Sequence, residues 1–140
     1  MNSPARYLDL STWPRRDAFE YFRGFDKPYF NVCTRLDAAP LKAAVAARGV
    51  GSFSLACHFV ALRLANEQEP MRLRLEGGRV RVHHRLQGGA TVLRDDESFG
   101  FAYLEPSTDW AHFAEQGARA VAAARDRAAP FEPRTDDSAV

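Results

Sequence analysis

Cysteine is scarce in this chain. Cys33 and Cys57 are the two in 140 residues, too few for a disulfide framework, and a reducing, cytoplasmic compartment fits them. An excess of either charge is also missing. Nineteen Lys and Arg stand against eighteen Asp and Glu, a net charge of +1. That balance removes the field that would make nucleic-acid binding the first reading. No apolar run approaches the ~18 residues of a membrane span, so no membrane partner is expected. The start, Met1-Asn2-Ser3-Pro4-Ala5-Arg6, lacks the apolar stretch of a secretory signal. Also absent are a Walker-type phosphate loop, a dinucleotide fingerprint, a Gly-x-Ser-x-Gly elbow and a His-Glu-x-x-His motif. What remains is 46% hydrophobic and 26% charged, the composition of a globular domain with a core of its own. The excess of arginine over lysine and the abundance of alanine carry no functional weight.

The pattern predicts helices alternating with strands. Residues 7–10 read as a short first strand. Ser11 and Thr12 offer hydroxyl caps before Pro14 and a helix over 15–23, with Trp13, Phe19 and Phe22 for one face and Gly24 as its stop. Residues 29–36 are aromatic and β-favouring and read as a strand. Asp37 caps a helix carrying Leu41, Ala44 and Val45, ended by Gly49. Ser52 starts a third helix over 53–67, apolar nearly all round and so expected to be buried. Met71, Leu73 and Leu75, then Val80 and Val82, alternate with arginines about Gly77-Gly78, a two-residue hairpin turn. Gly88-Gly89 reads as a second turn. Residues 90–93 and 99–104 follow as strands, joined through Asp95-Asp96-Glu97-Ser98. Thr108 or Asp109 caps a last helix with Trp110, Phe113, Gly117 and Val121 inward, ended at Ala128-Ala129-Pro130. The expected architecture is α/β in the α+β, two-layer sense: a mixed sheet with helices packed on it. One domain covers 1–130, and 131–140 is a polar, flexible tail.

Several clusters invite a chemical reading. His83-His84 could supply a general base, but no acid in the local motif would orient either ring. Strand alternation would bury one and expose the other, so a structural role is preferred. Arg72, Arg74, Arg79, Arg81 and Arg85 could hold phosphates, yet no aromatic is interleaved to stack bases, and a solvated strand face explains them. Asp95-Asp96-Glu97 has no second cluster to complete a metal site, and Cys33, Cys57, His58 and His112 lack ligand spacing, so no metal is expected. Cys57 and His58, on the apolar helix, read as core residues. Phe22, Phe25, Tyr29 and Phe30 surround one turn. They fit either a slot for a flat apolar ligand or ordinary packing.

The order of these segments resembles the chloramphenicol acetyltransferase family. The carrying residues are Trp13-Pro14-Arg15-Arg16-Asp17-Ala18-Phe19-Glu20-Tyr21-Phe22, then Tyr29-Phe30 through Leu36-Asp37. They continue with the apolar helix, Met71-Arg72-Leu73-Arg74-Leu75, and Thr91-Val92-Leu93 through Glu97-Ser98-Phe99-Gly100. The family begins Trp-x-Arg-x-Glu-His-Phe, has a strand ending in Ile/Leu-Asp, and later a Thr-Val-Phe…Thr/Ser-Phe pattern. The resemblance covers nearly all of this chain but only the N-terminal portion of the family's domain. The family's His-His-x-x-x-Asp-Gly signature, whose second histidine is the general base, lies in the other portion. His83-His84-Arg85-Leu86-Gln87-Gly88-Gly89 mimics it, but Gly88 stands at the aspartate position and the segment precedes the Thr91 strand, so catalysis is not transferred to His84.

The resemblance implies a partial chloramphenicol acetyltransferase-like fold, acetyl-CoA as co-substrate and an amphenicol-type small-molecule acceptor, hence a link to antibiotic resistance. It implies a homo-oligomer, a trimer in the family, with the active site between subunits. Phe22, Phe30 and Phe99 match walls of the acceptor pocket, which tips the aromatic cluster towards a slot. Arg15 matches the arginine that ion-pairs with the signature's aspartate. Lacking the catalytic histidine motif, the chain is expected to be inactive alone. A non-catalytic oligomerising or ligand-sequestering remnant of that fold is the alternative.

Overall fold

The computed structural model describes residues 6–126; the expected tail and the Ala128-Ala129-Pro130 helix end lie outside them. The order is β1 (Arg6–Tyr7), α1 (Arg16–Phe22), α2 (Ala39–Arg48), α3 (Phe53–Glu67), β2 (Leu73–Glu76), β3 (Arg79–Val82), β4 (Gly88–Leu93), β5 (Phe99–Leu104) and α4 (Trp110–Arg125). A 3-10 turn over Glu69–Arg72 leads into β2. The arrangement is α+β, as the sequence indicates. Its described pairings are all antiparallel: one sheet in the order β1-β3-β2 and a separate β4-β5 pair. No single described helix is long and apolar enough to cross a membrane.

The core forms where α3 and α4 meet β5. Leu55 and Leu62 of α3, Leu104 of β5 and Phe113 of α4 make one buried cluster, with Phe59 and Trp110 packed against it. Phe59 meets the ring of Phe113 at 5.3 Å and that of Trp110 at 5.6 Å. Along β5 the period of two buries Gly100, Ala102 and Leu104 beneath α4. Contact is so close at Gly100 that a Cβ there would lie 2.1 Å from the Ala124 carbonyl oxygen. That oxygen also accepts a hydrogen bond of 2.9 Å from Nε of buried Arg94. The C-terminal turn of α4 is thereby fixed to the β4-β5 hairpin.

Several local signals hold. Ser52 caps α3 by accepting from the Leu55 amide at 3.2 Å, and Asp109 caps α4 by accepting from the His112 amide at 2.7 Å. Gly77 and Gly78 take φ of 54° and 78°, the left-handed pair that a tight hairpin turn requires. Others do not. Ser11 does not cap α1; its amide and hydroxyl both donate to Asp9, which pulls that carboxyl below its ordinary range. Gly88 and Gly89 are not a turn but the start of β4, paired with Leu104 and Tyr103. Residues 29–36 form no strand, because no neighbour among the described residues offers a ladder. Tyr29, Phe30, Val32 and Leu36 are 75%, 88%, 74% and 84% exposed. The apolar helix α3 is buried on one stripe only: Leu55, Ala56 and Leu62 face inward while Val60 and Leu64 face out. Cys57 is exposed and His58 half-buried, so neither is a core residue.

The arginine-rich hairpin is less solvated than alternation suggests. Arg72 donates to the His83 carbonyl and Arg74 to the Met71 and Leu73 carbonyls. Arg79 lies 3.7 Å over the Tyr7 ring, Arg81 pairs with Glu76 at 3.0 Å and Arg85 with Glu105 at 3.8 Å. These guanidinium groups already have partners within the fold, which leaves little to present to phosphates.

Two predictions follow from this packing. Gly100→Ala forces α4 away from β5 and lowers the stability read by urea denaturation by about 1–3 kcal/mol, whereas Gly24→Ala, with nothing within 4 Å of the added methyl, stays within ~0.5 kcal/mol. Separately, Tyr7 donates its hydroxyl hydrogen bond to Glu76. That bond first, and Arg81 second, hold the Glu76 carboxyl below its ordinary value, while the same bond raises the Tyr7 hydroxyl. A carboxyl depressed in the folded state stabilises above the unfolded pKa, and that contribution is lost as pH falls through the lower, folded value. Tyr7→Phe should move the Glu76 titration upward in a carboxyl-detected NMR series and narrow the difference in stability between neutral and acid pH.

Candidate functional site

Five residues of or beside α1 share one face by spacing: Arg15, Ala18, Phe19, Phe22 and Arg23 recur at three- and four-residue intervals. They line a cavity of about 350 Å³. Trp13 and Pro28, from the chain on either side of the helix, and Leu75, from β2, complete its wall. The helix has no fully buried residue, so its apolar face forms one side of an open slot rather than a core contact. Leu75, 62% exposed, faces the slot from the hairpin.

The aromatic surface is held by ring contacts. Trp13 meets Phe19 edge-on at 5.9 Å. Phe22 meets Tyr21 at 5.0 Å and Phe25 at 5.4 Å. Such edge-to-face sets keep ring faces available to a flat guest. The guanidinium of Arg23 lies 5.3 Å from the Phe19 ring centre and 3.1 Å from Glu20, so its charge is matched. Arg15 has no ion pair or hydrogen bond from its side chain among the described residues. The lining thus offers apolar faces and one unmatched cation. Arginine keeps its proton throughout the ordinary pH range, and none of the other described lining side chains can exchange one, so these residues can bind and orient but supply no base.

Of the residues singled out in the sequence, Arg15 and Phe22 come together in this slot. Phe30 and Phe99 do not. Phe30 stands free on the exposed 29–36 segment. Phe99 begins β5 and packs edge-on against Phe101 at 5.6 Å. Leu75 went unnoticed as a site residue because its alternation marks it as core. Its position in the short hairpin, opposite buried Val80, is what turns it to the slot. Neither His83 nor His84 lines the slot. His83 is buried, with its amide donating to the Arg72 carbonyl at 2.9 Å, and His84 is exposed. No group of three or more His, Cys, Asp or Glu among the described residues could hold a metal ion.

Comparison with known proteins identifies the fold. A solved chloramphenicol acetyltransferase superposes with a TM-score of 0.76 over 93% of this chain, at 23% identity, which is a likeness of fold. The chain spans 59% of the length of that structure. No curated protein matches it. The family model described as chloramphenicol acetyltransferase matches residues 4–138, nearly the whole sequence. The chain belongs to the chloramphenicol acetyltransferase family.

Proposed function

We propose that this chain forms the acceptor-binding wall of an acetyl-CoA-dependent O-acetyltransferase of the chloramphenicol type, and that these 140 residues by themselves bind the acceptor without acetylating it. The observation that carries the reading is the lining of the α1 slot: aromatic and aliphatic faces with an unmatched Arg15 and no base. In such a transfer the acceptor oxygen attacks the thioester carbonyl carbon, its proton goes to an oriented imidazole, and the carbon–sulfur bond breaks to release the thiol. The slot's residues can hold the acceptor for that attack; the proton must go elsewhere. His83-His84 carries Gly88 where the family signature has its aspartate, and neither histidine lines the slot. Arg15 is suited to a carboxylate brought by another segment, the role the resemblance assigns to the signature's aspartate. Phe30 and Phe99, both exposed, would complete the acceptor pocket only in an assembly.

A homo-oligomer, with the family's trimer as its form, is part of the proposal. The specific support is the exposed run Tyr29, Phe30, Val32 and Leu36, whose backbone has no ladder partner among the described residues. A second copy would cover that surface and pair its amides. The non-catalytic, ligand-sequestering alternative rests on the same surface and differs in having no productive complex at all.

Three measurements test these statements. Isothermal titration with chloramphenicol should show binding that Phe22→Ala weakens about tenfold, a loss of ~1.4 kcal/mol. With acetyl-CoA added, free-thiol release should stay at background; turnover abolished by His84→Ala would overturn the binding-only reading. In sedimentation velocity the chain should run as an oligomer that Phe30→Asp with Val32→Asp shifts towards monomer, and a monomeric parent chain would remove the assembly.

A further inference from the structure

A second, larger cavity of about 670 Å³ lies away from the α1 slot, between α3, α4 and β4. Its volume falls within the roughly 300–1,000 Å³ of small-molecule sites. Ser54, Leu55 and His58 reach it from consecutive turns of α3. From α4 come Val121, Ala122 and Arg125, again at helical spacing. The inward residues of β4, Ala90 and Val92, form its floor and are only half-buried. The cavity exists because α4 is drawn against β5 at Gly100, as described above, while β4 has no equally close helix.

The polar lining of this cavity combines the hydroxyls of Ser52, Ser54 and Thr91 with two basic side chains. Among the described residues, His58 and Arg125 are its only ionisable lining residues, and no described Asp or Glu lines it. No salt bridge joins either to a carboxylate among the described residues. His58 is also oriented: its Nδ1 is 2.8 Å from the Ser54 carbonyl oxygen. That bond assigns one proton to Nδ1, and Nε2 donates to a guest carboxylate in the doubly protonated ring. Arg125 supplies a planar fork matched to a carboxylate. One guanidinium with one imidazole suits a singly charged head better than a phosphate, and the remaining wall is largely aliphatic.

We propose that this cavity is a binding site for an aliphatic monocarboxylate, with the carboxylate on Arg125 beside His58 and the hydrocarbon chain along Leu55, Val92 and Val121. The site is independent of the acceptor slot, and neither His58 nor Arg125 belongs to that slot's lining.

Octanoate is the probe, titrated calorimetrically into the 140-residue chain. The expected result is one-to-one binding, with octanol, which lacks the charge, and acetate, which lacks the tail, each at least tenfold weaker. Arg125→Gln should weaken octanoate at least tenfold. Arg125 is exposed at a helix end, so this change does not threaten the core, and an unaltered far-UV spectrum will confirm that. Ala122→Leu, which fills the cavity, should abolish binding, and Phe22→Ala in the acceptor slot should leave it unchanged. The proposal is overturned if octanoate does not bind, if octanol binds equally well, or if Arg125→Gln binds octanoate as the parent does. Loss of octanoate binding through Phe22→Ala alone would place the ligand in the acceptor slot and likewise overturn it.

Discussion

The contact between α4 and β5 organises the core of this molecule and the cavity beside it. Gly100 admits the Ala124 carbonyl where a methyl group could not fit, and Arg94 ties the same carbonyl from the side. This brings Phe113 and Leu104, both essentially inaccessible to solvent, against Leu55 and Leu62 of α3. Interiors pack like crystals, so one close approach fixes its neighbours. With α4 held to one strand of a two-stranded hairpin, the other strand is left partly uncovered. The cavity over β4 is the consequence of that asymmetry.

The α1 slot is built on a different principle. The seven-residue helix contributes nothing fully buried, and its aromatic side chains are ordered mainly by each other. A surface of this kind retains apolar area for a guest, because that area is not consumed in folding. Its electrostatics are uneven: Arg23 is satisfied by Glu20 and the Phe19 ring, whereas Arg15 has no ion pair among the described residues. The fold is shared with a solved chloramphenicol acetyltransferase, of whose length this chain spans 59%.

What the sequence disclosed was local. The Ser52 and Asp109 caps, the Gly77-Gly78 turn and the inward face of α4 are set by residues within a turn or two of one another, and each stands where the pattern puts it. Arg15 and Phe22 meet because seven residues return to the same helical face. What the sequence did not disclose depends on partners distant in the chain. A strand over 29–36 needs a neighbouring strand, and β propensity cannot supply one. The apolar helix α3 needs cover on every side, and α4 covers one stripe. His58 looked like core for that reason and instead lines the second cavity. Phe30 and Phe99 do not join Phe22, because nothing in local spacing brings three separate segments to one wall. The glycines at 88 and 89 carry a turn signal, but pairing with Tyr103 and Leu104 overrides it.

The central claim is that the acceptor is held by the α1 slot, apart from the paired histidines. Amide and indole chemical-shift mapping of the labelled chain during titration with chloramphenicol tests this most directly. The account predicts shifts concentrated at Trp13, Phe19, Phe22 and Leu75, with His83 and His84 undisturbed. Shifts centred on His83 and His84, with the α1 face unmoved, would contradict it.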